Sequence, residues 1–189
     1  MDQSQNHDAH GHPAPGEEDG DEVDWLIAAF HDLGAASSAT SKLDSLMDLE
    51  RLNDPRIVPF LVGVLADETQ PMEVRIHLIR QLRNGRLVPD ERLLVASLLC
   101  RLLHRDGQLH LRLQTALALG EFTDIEGVLA TLGTLALAAD EPIDLRYSAF
   151  TSMQRVGPTP ECIALLQELS LDETLGRAAM NFLATWGAR

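Results

Sequence analysis

Apolar positions recur at helical spacing from about residue 22 to the end of the chain. In the stretch 109–120, LHLRLQTALALG, they repeat every three or four positions and end at a glycine, which predicts a helix with a C-terminal stop. Long alternations of Val, Ile, Thr and Tyr, which are typical of strands, do not occur. We therefore predict an all-α chain in which this unit is repeated.

N-capping residues, prolines in first turns and glycines after last turns set the predicted helix bounds. The helices fall into five antiparallel pairs. Their predicted ranges are 22–33 with 41–52, 55–65 with 72–83, 89–103 with 109–119, 124–138 with 142–156, and 159–169 with 173–186.

An arginine opens the second helix of each of the last four pairs, at a period typical of helical repeats. These residues are Arg75, Arg112, Arg146 and Arg177. Each follows an aspartate in the turn within the pair, namely Asp67, Asp106, Asp140 and Asp172. We expect the aspartates to cap the second helices, or to pair with an arginine of the same helix or of the next repeat. These residues are therefore interpreted as structural.

Two segments, NDPRIVPFLVGVLADETQPMEVR and LRLQTALALGEF, resemble HEAT repeats, specifically the phycobilisome-lyase HEAT-like subclass found in many bacterial proteins. The resemblance covers about residues 40–187. It rests on Asp54-Pro55, Val58-Pro59, Leu65, Asp67, Val74-Arg75 and Ala118-Leu119-Gly120. It implies an α-solenoid whose second helices line a concave binding face, in a subclass that serves adaptors, scaffolds and bilin lyases. Arg83 and Gln154 depart from the pattern, because they stand where glycine ends the helix.

Charge separates the first residues from the rest of the chain. The 189 residues carry a formal net charge of −14, and the first 24 contain eight acidic residues and no Lys or Arg. Residues 1–21 lack apolar periodicity, so we expect a disordered, acidic, His-containing tail before a helical repeat domain at 22–189. A net charge of this sign disfavours nucleic-acid binding.

No cofactor and no metal are predicted. The tail histidines His7, His10 and His12 match no closed metal site, and Cys100 with His104 lacks a third and a fourth ligand. Cys100 and Cys162 are expected to be reduced core residues. The chain does not open on a secretory signal, and its longest apolar run is too short to span a bilayer, so we expect a cytoplasmic protein without membrane insertion.

Aligning the second helices on their arginines gives candidate binding positions one, two and five residues later. The candidates are Ile76, His77, Arg80, Leu113, Gln114, Leu117, Tyr147, Ser148, Thr151 and Phe182. If they face solvent, this apolar stripe indicates a partner; the alternative is that some of them pack into neighbouring helices. Between residues 75 and 112 arginines outnumber acids, which would suit an acidic partner segment or the protein's own tail, or local pairing.

Signatures of common enzyme classes, such as GxSxG, a Walker loop or HExxH, do not occur. The predicted function is a non-catalytic protein–protein interaction module: an adaptor, assembly factor or small complex subunit that binds an acidic or amphipathic segment. The alternative implied by the resemblance is a bilin lyase or isomerase-type subunit, with Arg80, Arg83 and His77 near the propionates of a tetrapyrrole. A DNA-cradling module is a third reading, which the net charge disfavours.

Overall fold

The computed structural model describes residues 17–34, 37–105 and 107–187. Regular structure in these ranges consists of ten α-helices and one short 3-10 helix, without a strand. The chain divides into a unit that ends at Ile57 and a second unit that begins at Val58. The predicted all-α, HEAT-like fold of about five helix pairs is confirmed.

The first unit is built on two helices, α1 (Glu17–Asp32) and α2 (Ala39–Leu49), which pack on each other. Phe30 and Leu46 are buried in its core, and the Lys42 ammonium lies 5.8 Å from the centroid of the Phe30 ring. Helix α1 begins five residues before its predicted start, so the end of the predicted tail is helical. Residues 1–16 lie outside the described residues, and the disorder expected of them stays a prediction.

The second unit contains the remaining helices. They are α3 (Ile57–Ala66), α4 (Met72–Asn84), α5 (Pro89–Arg105), α6 (Leu109–Leu119), α7 (Val128–Leu137), α8 (Ile143–Met153), the 3-10 helix Gln154–Val156, α9 (Pro160–Leu169) and α10 (Gly176–Thr185). Helix α7 begins four residues later than predicted. Turns precede it, and Gly127 at its N-cap takes a φ of +84°, which favours glycine.

The helices of the second unit form two layers. The first helices of successive pairs contact each other in the order α5, α7, α9, and the second helices in the order α4, α6, α8. Aliphatic side chains such as Leu78, Leu99, Leu119 and Leu132 are fully buried in the core of the unit. Neither helix of a pair can bury its apolar side alone, so stacking of the pairs supplies the core.

Three repeat arginines make the same hydrogen bond in successive pairs. In each case Nε donates to a carbonyl in the last turn of the preceding first helix: Arg75 to Leu65 at 3.1 Å, Arg112 to Leu103 at 2.7 Å and Arg146 to Ala136 at 2.9 Å. Carbonyls at the end of a helix have no partner within the helix. The arginine therefore caps the first helix and fastens the second helix to it.

Two of these arginines also reach an acid in the following pair. The prediction instead paired each aspartate with an arginine of its own second helix or of the next repeat. Arg112 makes a bidentate ion pair with Glu141 at 2.5 and 2.9 Å, and Arg146 pairs with Asp172 at 2.5 Å. Asp140, which was expected to pair with Arg146, is exposed. Because Nε is committed to the first helix, the terminal nitrogens of the guanidinium are left to bond toward the next repeat.

The predicted aspartate caps of the second helices are not found at Asp67 and Asp172, because the N-caps of α4 and α10 are Pro71 and Leu175 and neither helix has a side-chain cap hydrogen bond. Both aspartates instead bond backbone N–H groups within their turns. Asp67 accepts the Thr69 N–H at 2.9 Å, and Asp172 accepts the Leu175 N–H at 2.8 Å. The Leu175 N–H and the Arg146 guanidinium hold the pKa of Asp172 below its usual range. The Arg112 guanidinium likewise lowers the pKa of Glu141.

Two members of the predicted structural set do not join this pattern. Asp106 lies outside the described residues. Arg177 is exposed at the start of α10, in the last pair of the described chain. The structural interpretation of the repeat arginines is therefore supported by contacts at Arg75, Arg112 and Arg146.

Candidate functional site

On α4, the predicted binding positions differ in exposure. Ile76 was expected to face solvent, but it is only 8% exposed and belongs to the core. It lies on the side of α4 that takes part in packing, so its apolar side chain is used by the fold. His77 is half-buried and Arg80 is exposed.

On α6, the three predicted positions are all half-buried: Leu113, Gln114 and Leu117. The Gln114 side-chain oxygen accepts a hydrogen bond from Arg80 Nε at 3.4 Å. This contact links the accessible sides of two consecutive second helices, α4 and α6. The second-helix layer therefore presents polar groups at this point, and the aliphatic stripe expected there is partly packed away.

On α8, Tyr147 is 54% exposed and Thr151 is exposed one turn later. Ser148 is half-buried and donates its hydroxyl hydrogen to the Asp144 carbonyl at 2.8 Å. Phe182 of α10 is also half-buried, and it packs edge-on against Trp186 with ring centroids 5.1 Å apart. The apolar residues expected to form one exposed stripe were Leu113, Leu117, Tyr147 and Phe182. Tyr147 is exposed, and the other three are half-buried.

A cavity of about 340 Å³ opens where the C-terminal parts of α4, α6 and α8 meet. Two of its lining residues, Leu117 and Thr151, are predicted binding residues. Of the others, Arg83 was predicted only for the bilin alternative, and the remaining three were not predicted. The complete lining consists of Arg83, Leu117, Thr151, Ser152, Gln154 and Arg155.

The charged groups at the cavity are two arginines and one carboxylate. Arg155 contacts the Glu121 carboxylate at 2.6 Å, and Arg83 Nε lies 3.6 Å from the same oxygen. At that distance Arg83 Nε makes no hydrogen bond, and it has no other hydrogen-bond partner among the described residues, although the atom itself is buried. The cavity therefore holds two positive charges against one negative charge.

Gly120 and Ser152 bring the end of α6 close to α8. The Ser152 hydroxyl donates to the Ala116 carbonyl at 2.8 Å, which ties the two helices together. A Cβ atom on Gly120 would lie 2.9 Å from Cδ of Arg155 and 3.2 Å from Cβ of Ser152. A glycine is therefore needed here for close approach, since its backbone φ is an ordinary helical −57°.

The turn that carries Glu121 is itself held in place by an arginine. Arg92 donates to the Glu121 carbonyl at 2.9 Å and pairs with Asp124 at 2.6 Å. Its guanidinium carbon lies 5.0 Å from the centroid of the buried Phe122 ring, a cation–π distance. Glu121 is thus presented to the cavity by an anchored segment.

One sequence signal could have located the missed cavity residues. Arg83 and Gln154 occupy the two positions where glycine was expected to end a second helix, and both line the cavity. Glu121 lies in the turn after α6 and Arg155 in the 3-10 helix after α8, and no periodicity marks either residue.

The described residues give no support for a metal site or a membrane-spanning helix. No group of three or more His, Cys, Asp or Glu side chains in that part of the chain is placed to hold a metal ion. None of its helices is both long enough and apolar enough to cross a membrane. Both cysteines are free thiols, and burial raises the pKa of Cys162 to about 11.

Comparisons with known proteins assign the chain to no family. No family model and no curated protein matches it. Among solved structures, human deoxyhypusine hydroxylase in complex with glycerol matches at 14% sequence identity and a TM-score of 0.42. The match covers 93% of this chain and 99% of that chain. At this identity and TM-score, the similarity says nothing about the reaction, substrate or partners of this chain.

One prediction is corrected at this point. The chain was expected not to be an enzyme, whereas the matched protein is named as a hydroxylase. The statement that the chain lacks catalytic activity is therefore withdrawn. The HEAT-like helical fold stands.

Proposed function

We propose that the chain is a protein–protein interaction module, acting as an adaptor, assembly factor or small complex subunit. Its binding surface is the accessible side of the second helices α4, α6 and α8. The proposed partner is an extended or helical protein segment that crosses these helices. Tyr147 and Arg80 are the side chains expected to contribute most, because exposed Tyr and Arg residues dominate many interfaces.

One observation carries this proposal. The 54% exposed Tyr147 lies one helical turn before Thr151, which lines the cavity of about 340 Å³. An exposed aromatic beside a concave site offers a segment an apolar contact and a place to insert a side chain. The Arg80–Gln114 contact continues the same surface across α4 and α6.

The test is quantitative affinity purification of the tagged full chain from its native host. The double variant Arg80→Ala/Tyr147→Ala removes two exposed side chains from the proposed surface. The matched control, Arg101→Ala/Leu93→Ala, removes an exposed Arg and an exposed apolar residue from α5, which is the first helix of its pair. We expect a partner that the wild type and the control recover equally and that the surface variant recovers at least tenfold less.

Two results would count against the proposal. A partner kept by the surface variant but lost by the α5 control would move the interface to the first-helix layer. Recovery of no protein partner by the wild type would argue against an interaction module. Circular dichroism of all three proteins establishes that they are equally folded.

Membership of the phycobilisome-lyase HEAT-like subclass is a second part of the proposal, supported by the motif positions from Asp54-Pro55 to Gly120. The matching alternative function is a bilin lyase or isomerase-type subunit. It is favoured by Arg80 and Arg83, which share one side of α4 at a spacing of three residues. Titration of the chain with a bilin tests it, and an unchanged bilin absorbance spectrum argues against it.

A cytoplasmic location and the absence of nucleic-acid binding are also proposed. Both rest on the sequence, the second on its net charge of −14. A gel-shift titration with duplex DNA at moderate salt tests the second, and a retarded band would refute it.

A further inference from the structure

The cavity at the ends of α4, α6 and α8 has an unbalanced charge. Two lining side chains, Arg83 and Arg155, are cationic, and the other lining side chains are neutral. Both arginines lie against one carboxylate, that of Glu121, which is not itself a lining residue. Arg80, about one turn before Arg83 on α4, is a further exposed cation. A site with excess positive charge attracts an anionic group.

Hydrogen-bond donors at this site outnumber acceptors. An arginine carries five N–H donors and no acceptor, and the buried Nε of Arg83 has no hydrogen-bond partner among the described residues. A buried donor without a partner is costly, so a group that accepts its hydrogen bond would bind favourably. A carboxylate suits two guanidinium groups best, because each of its oxygens can accept bonds from an arginine fork.

Size and lining limit the ligand further. A volume of about 340 Å³ lies at the small end of ligand pockets, and it suits one side chain with its neighbours better than a large cofactor. Leu117 gives the cavity an apolar wall, against which the methylene groups of a glutamate can pack. Tyr147 lies about 6 Å along α8 from Thr151, one helical turn away, and can contact an adjacent apolar residue.

We propose that the cavity binds the side-chain carboxylate of a glutamate or aspartate from the partner segment, between Arg83 and Arg155. This inference rests on the proposed interaction function. In the free protein the Glu121 carboxylate pairs with N–H donors of the two arginines, so it competes with the incoming carboxylate for them. The partner motif is therefore an acidic residue next to an apolar residue that meets Tyr147.

The experiment is an NMR titration of the ¹⁵N-labelled full chain with two blocked dipeptides at low ionic strength. One probe is acetyl-Glu-Leu-amide, and its matched neutral probe is acetyl-Gln-Leu-amide. The Nε–H signal of Arg83 and the backbone amide of Thr151 are the reporters. We expect saturable shifts with the Glu dipeptide, at least tenfold weaker binding of the Gln dipeptide, and weakening by salt.

Three variants separate binding from folding. Arg83→Gln and Arg155→Gln should each weaken the Glu dipeptide at least fivefold, read at Thr151, whereas Arg101→Gln on α5 should change its affinity less than twofold. Glu121→Gln should strengthen binding about threefold or more, because it removes the internal competitor. A merely structural role of Glu121 predicts no gain, so this variant tests the inference even if an arginine variant folds poorly.

The outcomes distinguish this inference from the proposed function. Equal binding of both dipeptides, no saturable shift, or a Glu121→Gln variant that binds less tightly would overturn the carboxylate site, even if a protein partner is recovered from the host. Selective binding of the Glu dipeptide without any recovered partner would leave the carboxylate site standing and refute the interaction module.

Discussion

Replacing Arg146 by alanine should destabilise the second unit more than the same change at any other repeat arginine whose contacts are described. Arg146 is 5% exposed. Its Nε donates to the Ala136 carbonyl at 2.9 Å, and a terminal nitrogen bonds Asp172 at 2.5 Å. The change therefore removes a cap of α7 and a link to the next pair in one step.

The expected loss is about 3 kcal/mol. Removing one partner of a buried ion pair typically costs about 3–5 kcal/mol. Asp172 keeps its bonds from the N–H groups of Thr174 and Leu175, which places the cost at the lower end of that range. The Ala136 carbonyl left without its partner contributes part of the loss, since an unsatisfied buried acceptor costs about 1–3 kcal/mol.

Two related substitutions provide comparisons for the size of this loss. Arg112→Ala should cost about 2 kcal/mol, because its ion pair with Glu141 is more exposed, with 16% and 24% of the side chains accessible. Arg177→Ala should change stability by less than about 0.5 kcal/mol, because this residue is exposed on α10. The predicted loss of unfolding free energy is largest for Arg146, intermediate for Arg112 and smallest for Arg177. This order distinguishes a cost that comes from lost contacts from a general effect of removing a positive charge.

The assay is urea unfolding followed by tryptophan fluorescence in a Trp25→Phe background. Trp25 is 67% exposed in the first unit, so its replacement leaves Trp186 to report on the second unit alone. Free energies come from linear extrapolation, with the slope checked for a two-state transition. A loss below about 1 kcal/mol for Arg146→Ala, or an equal loss for Arg177→Ala, would refute the reasoning.

Three further predictions follow from single contacts. Arg112 lowers the pKa of Glu141. This ion pair therefore contributes its full stability above the ordinary glutamate pKa of 4.5 and loses that stability as pH falls through the folded-state pKa. The urea midpoint of Glu141→Gln should fall less than that of the wild type between pH 7 and pH 3. Gly176→Ala should destabilise the protein by about 1–3 kcal/mol, because the new Cβ would lie 2.6 Å from a backbone oxygen. Gly63→Ala has open space around the new Cβ and should stabilise the protein by about 0.5–1 kcal/mol. Thermal melting measures both changes. Cys162, with its thiol pKa raised to about 11 by burial, should react with a thiol reagent at pH 8 more slowly than half-buried Cys100.

The helices could be predicted closely because their limits are set by local rules. Helix α6 has the predicted bounds at both ends, and α4 and α5 begin at the predicted residues, Met72 and Pro89. Prolines, capping side chains and apolar periodicity act within a few residues, so they are legible in a sequence. The late start of α7 shows the limit of such rules, because backbone hydrogen bonds from Ile125 to Phe122 and from Val128 to Ile125 form turns where the helix was predicted to begin.

Exposure within the second-helix layer could not be predicted in the same way. The side of a helix that faces solvent is decided by neighbouring helices that are about one repeat away in sequence. Ile76 was assigned to the surface by its distance from Arg75, yet α4 uses that position for packing. The pairing of Arg112 with Glu141 and of Arg146 with Asp172 depends on the same spacing between repeats, which the sequence alone leaves open.

The departures from the repeat nevertheless point to the candidate site. The position eight residues after the repeat arginine lies within one residue of the end of each of three second helices, and it is Arg83, Gly120 and Gln154 in turn. Arg83 and Gln154 line the cavity, and Gly120 lies beside it and permits the close approach of Arg155. The arginine at the start of each second helix makes contacts that stabilise the fold, and it recurs in successive repeats. The residue near the end of each second helix differs from repeat to repeat, and these residues lie close together at the cavity. A repeat protein can specialise in this way, because side chains at one repeat position are brought together by stacking and can vary without disturbing the contacts that hold the pairs.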